Sequence, residues 1–347
     1  MKNNFARRGV LLSFFLVFVV CLAQGQIIQE KCLICHGKRE IEKKEKRLFI
    51  DEELIKKSVH KQKNCVDCHY DVTEIPHREP PQKIRCQHCH YKGNPEGAPQ
   101  SDVYLEYERS VHGKAIARGN DKAPLCQNCH GSHHILHTKT KDSKVGRNNV
   151  ARTCGQCHVE IYAQYMNSIH GQAAYLQNIP DAPTCTDCHG EHTIQPHEDP
   201  TSAVSKSNVV KTCSECHAAE AIVEKYGIKT EQVKSFEESF HGLAIEFGSK
   251  KAANCASCHT SHDIRPSSDP LSSVNINNIP KTCGKCHPRA NANYAKGKIH
   301  VNPKSKESGL IFWVAFFFKY FTIAVLGLLF IHIILDIYRK SRLRKAK

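Results

Sequence analysis

The segment Cys126-Gln127-Asn128-Cys129-His130 is one of nine Cys-x-x-Cys-His pentads in this chain of 347 residues. Together the pentads use eighteen of the nineteen cysteines. Two thiols three residues apart on a helical turn can add across the two vinyl groups of one porphyrin, and the adjacent imidazole then faces the iron. Each pentad therefore predicts a covalent haem attachment site.

The same three positions recur in every pentad, so nine covalently bound c-type haems are expected. The predicted attachment cysteines are Cys32, Cys35, Cys65, Cys68, Cys86, Cys89, Cys126, Cys129, Cys154, Cys157, Cys185, Cys188, Cys213, Cys216, Cys255, Cys258, Cys283 and Cys286. The predicted proximal iron ligands are His36, His69, His90, His130, His158, His189, His217, His259 and His287.

Zinc sites and a disulfide scaffold are the alternatives for so many cysteines. Zinc ribbons take Cys-x-x-Cys units in pairs, so nine units leave one over, and zinc gives no reason for a histidine after every second cysteine. A thioredoxin-like motif is expected once per βαβ unit, and no such pattern surrounds the pentads. Haem attachment explains all three positions.

Residues 1–25 have the features of a secretory signal peptide. A basic start precedes an apolar run from Val10 to Leu22, and Ala23-Gln24-Gly25 fits a small-residue cleavage site. The run is short for a membrane span, and an uncleaved anchor is the alternative. We expect cleavage and export across a bacterial inner membrane, because covalent haem attachment of this kind belongs to its outer side.

The segment 26–303 provides close to thirty residues for each pentad and the chain has a single tryptophan. So few residues for each pentad cannot build nine ordinary hydrophobic cores. We therefore expect a mainly α fold with extensive irregular coil, in which porphyrin faces form a haem-packed core, plus one C-terminal transmembrane helix.

An internal repeat emerges when the pentads are taken two at a time. Cys126, Cys185 and Cys255 are separated by 59 and 70 residues, and the same offsets relate Ser-x-Val and Thr-Cys segments between the pentads. The extra residues of the third spacing fall between Ala218 and Phe236. The predicted periplasmic haem region 26–303 thus contains a leading haem in 30–50, a diverged two-haem module in 51–100, and two-haem modules in 101–160, 161–220 and 221–300.

Histidines outside the pentads are candidates for the second axial ligand. The first series consists of histidines in Ser-x-His segments and ends with His300. The second series consists of histidines that lie a few residues after a pentad histidine. The nine candidates, one for each haem, are His60, His77, His112, His133, His170, His192, His241, His262 and His300. We predict bis-histidine ligation and low potentials, since Met166 is the only methionine after the initiator. His88, His134, His137 and His197 are not assigned.

The Ser-x-His-Gly segments show helical periodicity, and their glycine is expected to let a porphyrin approach the backbone. For the haem of His130, the sixth ligand is expected to be one of His112, His133 or His134, and the sequence does not choose among them.

The C-terminal segment predicts a membrane anchor. Residues 304–309 form a polar linker, residues 310–338 are apolar enough for a transmembrane helix, and residues 339–347 form a basic tail that predicts a cytoplasmic C-terminus. His332 and Asp336 lie one turn apart in this span. They are interpreted either as a contact with a quinone or a b-type haem, or as a polar pair near the cytoplasmic interface.

The formal net charge of +15 does not indicate nucleic-acid binding. Each haem brings two propionates, so nine haems add up to eighteen negative charges. The basic composition is therefore interpreted as compensation for the porphyrins.

The pentads, the Ser-x-His-Gly and Cys-x-x-Cys-His-Gly-x-His patterns and the single C-terminal span resemble membrane-anchored multihaem cytochromes c of respiratory bacteria. A looser similarity is to the superfamily containing tetrahaem cytochromes, cytochrome c nitrite reductase and hydroxylamine oxidoreductase. The similarity covers about residues 30 to 338. Quinol-dehydrogenase cytochromes of this kind have an N-terminal anchor, whereas the anchor here is C-terminal.

Two functions follow as expectations. The first is an electron relay between a quinol-oxidising or cytochrome b type membrane subunit and periplasmic redox partners, with no catalytic residues of its own. The second is a periplasmic reductase of a small nitrogen or sulfur compound, which needs one haem with an open coordination position. The resemblance implies a Cys-x-x-Cys-Lys pentad for a nitrite reductase, and this sequence has none. The relay is therefore favoured.

Overall fold

The computed structural model describes residues 31–43, 46–228, 231–297 and 299–345. The predicted signal peptide, residues 1–25, lies outside the described residues. The described chain is mainly helical with long irregular connections, which confirms the predicted fold class. Its strands are a two-residue antiparallel hairpin in which Glu42–Lys43 pairs with Lys46–Arg47.

Most helices are only one or two turns long. Residues 31–36 are helical, and the helices that follow are Glu52–Lys57, Cys65–Cys68, Val103–Arg109, Val111–Ala117, Cys126–His130, Val150–Gly155, Val159–Asn167, Ile169–Gly171, Cys185–His189, Val209–His217, Glu220–Tyr226, Glu231–Glu237, Phe240–Glu246, Cys255–His259, Ile279–Gly284 and Ala292–Lys296. Cys86–His88 and Lys306–Ser308 form 3-10 turns, and Gln172–Leu176 is a π-helical stretch. The helix Leu310–Lys345 is much longer.

The chain divides into two compact units, residues 1–203 and residues 204–347. Few apolar side chains are buried in the part of the chain that the structure describes: Val150, Ala151, Tyr165, Ala182, Val209 and Val223. Buried serines and asparagines outnumber them. Phe240 and Phe247, in contrast, are 93% and 85% exposed. Side chains alone therefore form little hydrophobic core, as expected of a chain whose core is to be packed by haem.

The Ser-x-His-Gly motif lies at a junction between two helices. The Ser168 hydroxyl donates to the carbonyl oxygen of Tyr165 at 2.6 Å and accepts from the N–H of Gly171 at 3.0 Å. It thus ends the helix Val159–Asn167 and caps the next helix. Ser110 and Ser239 make the same two bonds. The periodicity across the motif therefore spans two helices rather than one.

The glycine of this motif is required by the junction itself. A Cβ at Gly171 would overlap the carbonyl oxygen of Tyr165, and the equivalent overlap occurs at Gly113 and Gly242. The expectation that this glycine lets a porphyrin approach the backbone stays a prediction, and the structure adds a separate reason for glycine, because the preceding helix occupies the space that a Cβ would take.

The segments between paired pentads are fixed by side-chain bonds to the backbone. The Asn149 amide donates to the carbonyl oxygens of Lys141 and Ser143 at 2.8 and 3.0 Å. The Thr153 hydroxyl donates to the carbonyl oxygen of Lys144 at 2.7 Å. Asn278 and Thr282 make equivalent bonds in the last module. These bonds explain why asparagine and threonine recur just before the second pentad of each of these modules.

A helix lies in the extra residues of the third spacing of the repeat. The insertion between Ala218 and Phe236 contains the helix Glu220–Tyr226, which ends at Gly227 with a left-handed φ of 63°.

The apolar stretch 310–338 is helical, and Leu310–Leu343 is long and apolar enough to cross a membrane. The helix continues through much of the predicted basic tail to Lys345, because Arg, Lys and Leu are good helix formers.

Candidate haem-binding sites

Three pentads form five-residue helices of their own: Cys126–His130, Cys185–His189 and Cys255–His259. In each, the backbone N–H before the first cysteine donates to the side chain just before the second cysteine. The acceptors are Asn128 at 2.8 Å, Asp187 at 2.6 Å and Ser257 at 3.1 Å. This bond closes the helical turn on which both cysteines and the histidine lie.

The residue after each of these three pentads reverses the chain. Gly131, Gly190 and Thr260 have φ values of 91°, 78° and 66°. Glycine adopts this conformation without steric cost, and Thr260 is stabilised by its hydroxyl bond to the carbonyl oxygen of Asp263 at 2.8 Å. The reversal carries the histidine three residues after the pentad away from the pentad's own helix.

Seven pentad histidines lie opposite a predicted distal histidine. The distances between ring centres are 6.0 Å for His36 and His77, 5.9 Å for His90 and His60, 6.3 Å for His69 and His133, 6.3 Å for His158 and His112, 5.9 Å for His130 and His192, 6.2 Å for His287 and His241, and 6.3 Å for His259 and His300.

These distances fit a metal ion held between two imidazoles. A metal–nitrogen bond of about 2 Å on each side, plus about 1.2 Å from each nitrogen to its ring centre, gives a separation of about 6.4 Å. Ordinary aromatic pairs have ring centres about 4.5 to 7 Å apart, so the argument depends on the repetition of one narrow distance at seven pentad histidines. The angle between ring planes varies from 5° to 79°. Two ligands on one axis can rotate about that axis, so a nearly constant distance with a variable angle is compatible with bis-histidine ligation.

Burial favours the form of histidine that binds a metal. Desolvation lowers the pKa of His60, His112, His130, His259 and His300 below the ordinary value. The neutral imidazole is therefore favoured near neutral pH, and its unprotonated nitrogen is the metal-binding atom.

Backbone carbonyls orient three of the paired rings, a feature that the sequence did not predict. The Nδ1 atoms of His36, His77 and His300 lie 3.0, 2.8 and 3.0 Å from the carbonyl oxygens of Leu48, Glu79 and Gln232. Such a bond fixes the tautomer and leaves the other ring nitrogen available to a metal. The buried Nδ1 of His69 has no hydrogen-bond partner within the described ranges.

Several predicted attachment cysteines lie side by side. The side chains of Cys32 and Cys65 hydrogen-bond, as do those of Cys86 and Cys126, of Cys154 and Cys185, and of Cys213 and Cys255. Each pair joins the first cysteines of two pentads that are consecutive in the chain. Porphyrins attached there would lie next to one another.

The structure corrects the expectation for His130. Its ring lies opposite His192 and not opposite His112, His133 or His134. His112 and His133 face His158 and His69 instead. The physical reason is that the reversals at Gly131 and Gly190 direct the histidines that follow them toward pentads of an earlier module.

Backbone bonds hold neighbouring modules in this arrangement. The N–H of Val111, beside His112, donates to the carbonyl oxygen of Ile194 at 2.8 Å, close to His192. The N–H of Val59 donates in the same way to the carbonyl oxygen of Ile135 at 2.8 Å. These bonds lie beside His133 and His192, the two histidines that face pentad histidines of the preceding module.

The other predicted ligands stay predictions. His170 lies in the helix Ile169–Gly171 that Ser168 caps, and His262 follows the pentad of His259. The pentad histidines His189 and His217 end their helices. Of the unassigned histidines, His88 stacks on Tyr70 with ring centres 5.0 Å apart, and His197 lies 3.1 Å from the carboxylate of Glu198.

Two curated proteins are similar to this chain. The high-molecular-weight cytochrome c of Nitratidesulfovibrio vulgaris is 26% identical over 196 residues, which are 55% of this chain and 32% of that protein. The cytochrome c-type protein NrfB of Escherichia coli is 27% identical over 164 residues, which are 44% of this chain and 72% of that protein. The chain thus spans about a third of the first relative's length.

No family model matches the chain, and no solved structure matches it significantly. The two similarities support a multihaem electron-transfer cytochrome c with covalently bound haem.

Proposed function

We propose that this chain is a nine-haem cytochrome c that relays electrons between an inner-membrane quinol-linked complex and periplasmic acceptors. The observation that carries the proposal is the set of seven histidine pairs with ring centres 5.9 to 6.3 Å apart. Haem, when bound, takes up and releases one electron at a time through its iron.

The residues of the chain hold and orient the cofactor on both faces. The cysteine pairs would fix each porphyrin through two thioether bonds, and the adjacent histidine would occupy one axial position. The opposite histidine, from another part of the chain, would occupy the second axial position. At the seven paired sites a histidine on each side would hold the iron, which favours electron transfer over substrate binding.

The direction of electron flow follows from the proposed topology. A membrane partner that oxidises one quinol to quinone would release two protons and supply two electrons, which the haems held by the cysteines and histidines would accept one at a time. The predicted signal peptide would export the haem region to the periplasm, and the C-terminal helix would anchor it. Arg339, Lys340 and Arg342 would keep the C-terminus in the cytoplasm.

His332 and Asp336 lie in the membrane-spanning helix. A contact of His332 with a quinone or a b-type haem of the partner is one interpretation. The Asp336 carboxylate lies 2.8 Å from Lys340 Nζ and 3.7 Å from the Arg339 guanidinium. These ion pairs support the other interpretation, a polar cluster at the cytoplasmic end of the span.

The purified full-length protein provides the test. We expect nine haems per chain, and an electron paramagnetic resonance spectrum of low-spin ferric iron without a high-spin signal. In proteoliposomes with a quinol-oxidising partner, quinol should reduce the haems. Tight binding of nitrite, hydroxylamine or carbon monoxide to one iron would contradict the relay and support a reductase with an open haem position.

A further inference from the structure

His300 lies in the short segment between the last pentad and the membrane-spanning helix. Its ring centre lies 6.3 Å from that of His259, with 30° between the ring planes. The sequence marked it as the end of the Ser-x-His series, although no serine stands two residues before it. The structure pairs it with the pentad of Cys255 and Cys258, and His287 of the last pentad faces His241.

The helix Glu231–Glu237 orients the His300 ring. His300 Nδ1 lies 3.0 Å from the carbonyl oxygen of Gln232 and 3.3 Å from the hydroxyl oxygen of Ser235, which is buried. Nδ1–H donating to the Gln232 carbonyl leaves the second ring nitrogen as the metal-binding atom.

The segment that follows His300 is fastened to the same part of the chain. The Asn302 amide donates to the Glu231 carboxylate, and Lys304 Nζ lies 2.7 Å from Glu238 Oε1. The Ser308 hydroxyl donates to the carbonyl oxygen of Asn302 at 2.5 Å, which closes the segment into a compact turn. The chain between His300 and the membrane helix is therefore held at both ends of the helix Glu231–Glu237.

The membrane helix begins at Leu310, ten residues after His300. Ten extended residues reach at most about 35 Å, and the 3-10 turn Lys306–Ser308 shortens that reach. The linking segment therefore limits His300 to within about 35 Å of Leu310, the first residue of the membrane helix.

We infer that His300, in the segment that precedes the membrane helix, is the sixth ligand of the haem attached at Cys255 and Cys258. This site is the membrane-side port, the site at which electrons enter the chain from the membrane partner. The inference rests on the proposed relay and its topology. It identifies which of the sites exchanges electrons with a quinol-linked membrane partner, and it assigns Gln232 and Ser235 as residues that position His300.

The ligand part of the inference is tested by His300→Ala in the full-length protein. One low-spin site should be lost and one high-spin ferric site gained. His300→Met keeps a sixth ligand if the alanine variant does not fold, and it should move one midpoint potential upward, since a methionine ligand raises the potential. A spectrum and potentials like those of the unchanged protein would overturn the assignment.

The location part is tested with lipid nanodiscs that contain spin-labelled headgroups. A high-spin iron relaxes nearby nitroxides more strongly than a low-spin iron, so His300→Ala should increase the headgroup relaxation rate. His241→Ala, which marks the site of His287, is the matched control and should increase it less. An equal or larger effect of His241→Ala would overturn the port.

Variants in the segment between His300 and the membrane helix provide a second test of the location. Lys304→Ala combined with Asn302→Ala, in the His300→Ala background, should weaken the headgroup relaxation, whereas Lys306→Ala should leave it unchanged. These measurements use no electron donor. If quinol fails to reduce the protein, that result counts against the proposed function, and the test of His300 as a ligand is unaffected by it.

Discussion

The imidazole rings of His130 and His192 lie 5.9 Å apart and within 5° of parallel, although His192 follows a pentad of the next module. The same relationship joins His69 to His133, at 6.3 Å. Each of these sites therefore takes its two histidines from two different modules.

Replacement of His192 tests this shared site. We expect His192→Ala to convert one low-spin haem, that of His130, to high spin, because the opposite axial position loses its imidazole. Electron paramagnetic resonance of the oxidised protein measures the change. His197→Ala is the control, since the His197 ring is 72% exposed and lies beside Glu198, and it should leave the spectrum unchanged. A low-spin spectrum for both variants would contradict the pairing.

The helix junction predicts a stability effect at Gly171. A Cβ there would overlap the Tyr165 carbonyl oxygen, so Gly171→Ala should lower the free energy of unfolding by about 1–3 kcal/mol. Gly284→Ala is a suitable control, because an added Cβ at Gly284 meets nothing within 4 Å. Thermal unfolding followed by far-ultraviolet circular dichroism compares the two. Equal midpoints would show that the junction can relax.

The loop after Arg265 predicts a dependence of stability on pH. The Asp269 carboxylate accepts from the N–H of Leu271 at 2.8 Å and from Arg265 at 3.0 Å, and both bonds lower the pKa of Asp269 below its ordinary value of 3.8. A carboxyl whose pKa is lower in the folded state stabilises the fold above its ordinary pKa, and this contribution is lost as the pH falls through the folded-state pKa.

The thermal midpoint should therefore fall more steeply in the unchanged protein than in Asp269→Asn as the pH is lowered from about 6 to about 3. The exposed Asp121 provides the matched variant, and Asp121→Asn should retain the steep fall. Identical pH profiles for Asp269→Asn and the unchanged protein would rule out this role of the loop.

The polar cluster in the membrane helix predicts the outcome of His332→Ala. Because Asp336 is already paired with Lys340 and Arg339, we expect quinol-driven haem reduction in proteoliposomes to proceed at the unchanged rate. Phe330→Ala, a non-polar change in the same span, controls for the anchor itself. A much slower reduction for His332→Ala alone would favour a contact with quinone or a b-type haem.

Much of this arrangement could be predicted because it is local. A pentad carries its chemistry within five residues, and the Ser-x-His-Gly and Cys-x-x-Cys-His-Gly-x-His patterns repeat often enough to separate His112 and His192 from surface histidines. The nine candidates follow from that repetition, and the structure places seven of them opposite pentad histidines.

The pairing of ligands could not be predicted, because it depends on contacts between distant segments. The candidates nearest to His130 in sequence are directed elsewhere, and the reversal at Gly131 has no signature that names its target. The acceptors for His36, His77 and His300 are backbone carbonyls, which any residue type provides. The packing role of Gly171 could not be predicted for a similar reason, since the carbonyl that needs the space belongs to Tyr165.

The exchange of histidines between modules has a consequence for biogenesis. A chain is synthesised from its N-terminus, so His69 has no opposite ring until His133 has been made, and His130 has none until His192 has been made. His259 waits for His300, which emerges directly before the membrane helix. With the proposed membrane anchor, this last site would be completed just before the helix Leu310–Lys345 is inserted, and a nascent chain interrupted between modules would leave an incomplete site behind it.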